Sequence, residues 1–279
     1  MPITAPATGI TAPLRDLNAW AAHFRDTEIP ICAETAEAIE ALRANEDAVD
    51  ANSLGEMIAS DPLMTLKVLA HASTHRSARA VTDVETVISA LVMMGISPFF
   101  GAFGRQPSVE GLLAEQHEAF HGLKQTMVRS HRAASFALGF AVHRMDHDAP
   151  VIHTAALLHD FVEMLMWCHA PLLALRIRDL QQDDPSLRSS AAQRDVLGIE
   201  LSDLQQTLMK GWRLPELLIR ISDDRHADAA SVQNVMLAVR LARHTSSGWD
   251  NPAIPDDIGA IAELLNLSPE ATLQFVREI

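Results

Sequence analysis

The chain has 279 residues, 48% hydrophobic and 21% charged, which gives one large domain or two small ones with ample material for a core. That balance excludes a disulfide-stapled miniprotein and a long disordered chain. The net charge of −14, with Lys and Arg scattered, opposes contact with a phosphate backbone, so nucleic acid is not expected as a partner.

Met1 to Pro13 is a tail rich in Thr, Ala and Pro, without the basic start and apolar core of a signal peptide, which points to a cytoplasmic protein. Cys32 and Cys168 lie in apolar surroundings with no C-x-x-C spacing, the pattern of buried free thiols in a reducing compartment.

Helix-start signals follow in order. Ser53-Leu54-Gly55-Glu56 and Thr82-Asp83-Val84-Glu85 have capping-box spacing, and Ser60-Asp61-Pro62 and Ser268-Pro269-Glu270 place capping oxygens before a proline at the first helical position. Between them apolar residues recur at three- and four-residue steps, as in Val84, Val87, Ile88, Leu91 and Val92, and strand alternation is scarce. Leu, Ala and Met dominate and Tyr is absent, so the chain is expected to be all-α.

The longest uncharged run, Thr86 to Gly104, approaches the roughly 20 residues that span a bilayer. It is broken by Gly95, Ser97, Pro98 and Gly101, so no membrane contact is expected. A softer stretch from Gly101 to Gln116 divides the chain into two helical halves. His143 to Pro150, Gln181 to Ser190 and Asp223 to Ala230 are breaks in the second. The polar cluster His143, Asp146, His147 and Asp148 reads as a solvated loop.

Val151 to Trp167 reads as one largely apolar helix interrupted by His153, His159-Asp160 and Glu163. An inward carboxylate there needs a partner, because an unpaired buried charge costs several kcal/mol. Chance alone supplies about one His-Asp pair in a chain of this composition, so context must carry any reading. His131 is expected to open a helix over Ala133 to Ala141, and a hairpin would return it beside His159. The trio His131, His159 and Asp160 then offers imidazole and carboxylate donors suited to Fe, Mn, Ni or Zn, with His226 and Asp228 as weaker downstream candidates.

Over roughly residues 29 to 246 the sequence resembles the HDOD domains, a bacterial signalling branch related to HD-domain metal-dependent phosphohydrolases. The resemblance rests on Ile29-Pro30, on Leu54 with Ile58, and on Asp61-Pro62-Leu63-Met64-Thr65-Leu66-Lys67-Val68-Leu69. It continues through Val84, Ile88, Ala90, Leu91 and Gly95, then Ala155-Ala156-Leu157-Leu158-His159-Asp160 and Trp212-Arg213-Leu214-Pro215-Glu216. It implies an all-helical, two-lobed HD-like bundle: a first lobe over about 14–100, a connecting segment over about 101–120, an HD-like lobe over about 121–246 and a C-terminal helical extension over 247–279.

Set against the enzymatic relatives, the sequence departs in three places. Phe161-Val162-Glu163 stands where the cyclic-dinucleotide enzymes usually have Ile-Gly-Lys, Leu201 where related domains often place a histidine, and Arg243 where the HD enzymes close with a metal-binding aspartate. A guanidinium repels a cation and pairs with a carboxylate, so an Asp160–Arg243 ion pair is expected and His131, His159 and Asp160 become a residual, metal-free set. The expected function is a non-catalytic regulatory module that binds a protein partner or small ligand, with no catalytic residue and no cofactor. The alternative is a metal-dependent phosphohydrolase acting on a nucleotide or cyclic dinucleotide.

Overall fold

The computed structural model describes residues 9–75, 84–184 and 186–279. Among them the regular structure is helical, and the backbone pairing outside helices is an isolated parallel bridge between Ile31 and Ser108. The α-helices are α1 (Leu17–Asp26), α2 (Ala33–Arg43), α3 (Ala51–Ala59), α4 (Pro62–Thr74), α5 (Val87–Met94), α6 (Ile96–Ala102), α7 (Val109–Leu112), α8 (His117–His143) and α9 (Ala149–Leu157). They continue as α10 (Phe161–His169), α11 (Pro171–Asp183), α12 (Ser189–Leu197), α13 (Leu201–Gly211), α14 (Glu216–Ile221), α15 (Ala230–His244), α16 (Ile254–Leu265) and α17 (Pro269–Glu278).

Two expected starts coincide with observed caps. Asp61 Oδ1 accepts from the amides of Leu63 and Met64, and Ser268 Oγ from that of Ala271. The same Asp61 takes a third amide, Cys32 N at 2.7 Å, so one carboxylate starts α4 and fixes the entry to α2. The start expected at Ser53 is corrected: Asp50 caps α3, accepting from Asn52 N and Ser53 N, because its two carboxylate oxygens reach both amides and the Ser53 hydroxyl as well. Thr82 and Asp83 lie outside the described residues, and the cap of α5 is Thr86, boxed with Ser89.

The central element is α8, 27 residues long. The start expected just after His131 is corrected, because the helix already runs from His117 through the polar positions between. Its inward stripe, from Ala119 through Thr126, Ala133, Ala137 and Ala141, is made largely of small residues, which lets α9, α10 and α15 pack close against it. At Gly122 an added β-carbon would stand 2.6 Å from the indole of Trp167, so the approach of α10 requires a hydrogen there. A single continuous core joins the first helices to the rest: α4 packs on α10, α1 crosses to α13, and Trp20 Nε1 of α1 donates to Leu197 O at the end of α12 at 3.4 Å.

The apolar stretch Ala149–His169 has the length and composition of a membrane span, but 78% of its most apolar window is buried inside the protein. Its burial against α8 accounts for the apolar content. At the far end, Asp257 of α16 is fully buried and accepts from Arg240 Nη2 at 2.6 Å and His244 Nδ1 at 2.5 Å, tying the C-terminal helices to α15.

Candidate functional site around His159 and Asp160

The segment read as one helix from Val151 to Trp167 is two. Helix α9 ends at Leu157, α10 begins at Phe161, and His159 and Asp160 occupy the corner between them. Neither Gly nor Pro marks the corner. What holds it are the contacts of its two polar side chains, which a continuous helix would point elsewhere.

Asp160 is nearly buried and is saturated by cations. Its Oδ2 accepts from Arg129 Nε at 2.9 Å and Nη2 at 2.8 Å, its Oδ1 lies 3.0 Å from His159 Nδ1, and Arg243 Nη2 stands 3.6 Å from Oδ1. Arg129 Nη2 also donates to Glu163 Oε2 at 2.7 Å. The other oxygen of Glu163 accepts from Thr126 Oγ1 at 2.9 Å and, more loosely, from Trp167 Nε1 at 3.4 Å. On the solvent side His159 Nε2 lies 3.5 Å from Asp224. The chain of contacts runs unbroken from Trp167 in the core to Asp224 at the surface.

The electrostatics follow from these contacts. Burial alone would raise the Asp160 carboxyl, but Arg129, the His159 hydrogen bond and Arg243 hold it well below the usual carboxylate range. Burial alone would lower the His159 imidazole, yet hydrogen bonds to Asp160 and Asp224 raise it to about 9, so the ring is protonated at neutral pH. Desolvation opposes the charge on Arg129 too, and Glu163 and Asp160 overcome it, leaving the guanidinium charged throughout.

The structure does not gather the expected trio. The hairpin exists, but α8 and α9–α10 run antiparallel in a register that sets Arg129 against Asp160. His131, two positions on and therefore about 200° around the helix, faces elsewhere. Its ring lies toward the Ser60 backbone and Asp61, with His153 beside it, and burial lowers the proton affinity of both imidazoles. His226 is exposed and pairs with Asp223 at 3.3 Å, so the third imidazole does not converge either. His143 sits apart, its Nε2 3.2 Å from Leu265 O.

Among the described residues, no group of three or more His, Cys, Asp and Glu side chains is arranged to hold a metal ion. The donor set at the corner does not fit a divalent cation, because two guanidinium groups occupy the approach to Asp160 and a cation would have to displace the His159 proton shared with Asp160 and Asp224. Arg129 escaped the sequence reading, although a signal was present. It falls three residues after Thr126 and four before Ala133, in line with an apolar stripe where a cation needs a buried acid.

Comparison with solved structures finds the same fold. The chain is similar to the MmoQ response regulator from Methylococcus capsulatus str. Bath, with 19% identity, a TM-score of 0.63, and coverage of 89% of this chain and 98% of that one. It is also similar to a virulence factor from Campylobacter jejuni subsp. jejuni, with 17% identity, a TM-score of 0.64, and coverage of 94% and 93%. An HDOD domain protein with unknown function from Geobacter sulfurreducens aligns with 16% identity and a TM-score of 0.50 over 94% of this chain and 93% of that one. Comparison with the curated proteins finds no match. The HDOD domain family model matches residues 29–227, well over half of the chain, and the chain belongs to the HDOD domain family.

Proposed function

We propose that this protein is a non-catalytic regulatory module of a signal-transduction pathway, acting through a protein partner or small ligand. The observation that carries the reading is the two-pronged contact of Arg129 with Asp160. A metal-dependent hydrolase needs that carboxylate as a ligand and an open position for water, whose acidity the metal raises. Here guanidinium and imidazolium groups fill the same space, so the corner keeps its shape and provides no nucleophile. The response-regulator description of the similar Methylococcus capsulatus structure supports a signalling role.

The test is turnover. The purified full chain, incubated with Mn(II) or Fe(II) and a panel of nucleotides and cyclic dinucleotides, is expected to release no product above the background of a His159→Ala variant. Metal-dependent hydrolysis that disappears in His159→Ala would establish the phosphohydrolase instead.

A further inference from the structure

A cleft of about 320 Å3 opens where the turn between α13 and α14 faces the end of α4. Ser73, from the last turn of α4, lies on one side. Lys210, Arg213 and Glu216 lie on the other, and Val84 and Ile219 supply apolar wall. None of these residues takes part in the Asp160 network, so the cleft is a separate feature of the molecule.

Two observations bear on what it could bind. Lys210 and Arg213 are exposed, and neither has an ion-pair partner among the described residues, although the chain carries 36 acidic side chains against 22 Lys and Arg. Two cations converge on one concavity, with Glu216 the one carboxylate among the described lining residues and in no ion pair with either. The second observation is backbone geometry. Arg213 has φ of +55°, the left-handed conformation that ends α13, with Leu214 N donating to Met209 O at 3.0 Å.

Glycine is the residue that this helix ending favours, and a side chain there is strained. The negative end of the helix favours a cation nearby. That preference would be met by Lys210 alone and gives no reason to put a β-carbon at the left-handed position. A guanidinium held at a cost beside an unpaired ammonium points to an anionic ligand.

We propose that this cleft binds a nucleoside monophosphate, with Lys210 and Arg213 on its phosphate and the apolar wall of Val84, Leu214 and Ile219 against its base. A dianionic phosphate matches the forked guanidinium and the point-charge ammonium together. Glu216 and Ser73 are available for the hydroxyl and amino groups of the organic part. The volume lies at the lower end of the range for small-molecule sites, roughly 300–1,000 Å3, which suits a mononucleotide. Trp212, next to Arg213, packs on Phe161 at 5.8 Å between ring centroids, which joins the turn beside the cleft to the residue that follows Asp160. The assignment rests on the regulatory reading and names the ligand that reading leaves open.

The test is calorimetric titration of the full chain with AMP and GMP, with adenosine and guanosine as uncharged controls. At least one nucleotide is expected to bind more than about tenfold tighter than its nucleoside, and to weaken as salt is raised. Arg213→Gly is the discriminating variant, because it removes the guanidinium and relieves the left-handed strain together. It is expected to hold or raise the thermal midpoint while lowering nucleotide affinity at least about tenfold, with Lys210→Ala losing affinity to a similar degree. No binding of either nucleotide, or binding unchanged in both variants, would overturn the assignment. Failure here leaves the turnover result untouched, and hydrolysis in the turnover assay would overturn the regulatory reading without moving the Arg213→Gly comparison, so the two readings fail separately.

Discussion

Arg129 and Asp160 stand 31 residues apart in sequence and meet side by side in space, with Nε and Nη2 of the guanidinium both donating to Oδ2 of the carboxylate, at 2.9 and 2.8 Å. The pair is mostly buried, and the same arginine also holds Glu163 at 2.7 Å. Removing one partner of such a set leaves carboxylates buried without compensation. Arg129→Met is therefore expected to lower stability at neutral pH by about 3–5 kcal/mol in urea unfolding. Arg243→Ala removes a half-exposed and looser contact at 3.6 Å and is expected to cost less than about 1 kcal/mol. Equal losses in the two variants would show that Arg129 is not the dominant partner.

The pH dependence follows from His159, whose proton affinity in the fold is raised from 6.5 to about 9. A raised value means that the folded state holds the proton more tightly than the unfolded chain. Its stabilising contribution is fully present below pH 6.5 and is lost as the pH climbs through about 9. The stability difference between wild type and His159→Gln should shrink over that window. Asp160 has the opposite sign, so its contribution is lost only on acidification below the usual carboxylate range. A difference that stays flat between neutral and alkaline pH would contradict the paired imidazolium.

Asp61→Ala removes one carboxylate that serves three amides, those of Cys32, Leu63 and Met64. Because the site is buried, the cost is expected to be about 3 kcal/mol, against about 1 kcal/mol for an ordinary exposed cap such as Ser268→Ala. Urea unfolding of the two single variants provides the comparison.

Gly122→Ala places a methyl group against the Trp167 indole, whose Nε1 donates to Thr126 Oγ1 at 3.1 Å. Backbone or indole must shift, with an expected loss of about 1–3 kcal/mol and a changed near-ultraviolet circular dichroism signal from the tryptophan. An unchanged spectrum would mean that α8 and α10 pack less closely than the structure shows.

Burial raises the Cys32 thiol to about 12 and the Cys168 thiol higher still. Both should therefore resist a thiol reagent in the native protein at mildly alkaline pH and react at once in denaturant. Rapid labelling of the native chain would contradict the packing around them.

Much of the fold was legible because its signals are local. Asp61-Pro62 and Ser268-Pro269 carry helix starts in two adjacent residues, and the break at Gly95 is written in a residue that adopts φ of +88°. The corner at His159-Asp160 was not legible, because its sequence is that of a continuous apolar helix and only partners on α8 and beyond bend it. The candidate site divides the same way. The need of Asp160 for a cation could be read from its apolar surroundings, whereas the identity of the nearest cation depends on the register of α8 against α9 and α10. That register sets Arg129 on Asp160 and turns His131 toward Asp61.

The central claim is that arginine and imidazolium side chains fill the place of a metal at Asp160. Elemental analysis of the full chain, expressed without a metal-binding tag and compared with His159→Ala, tests it most directly. The account predicts far less than one metal ion per chain in both proteins, each folded by circular dichroism. Near-stoichiometric iron, manganese, nickel or zinc in the wild type that disappears in His159→Ala would contradict it.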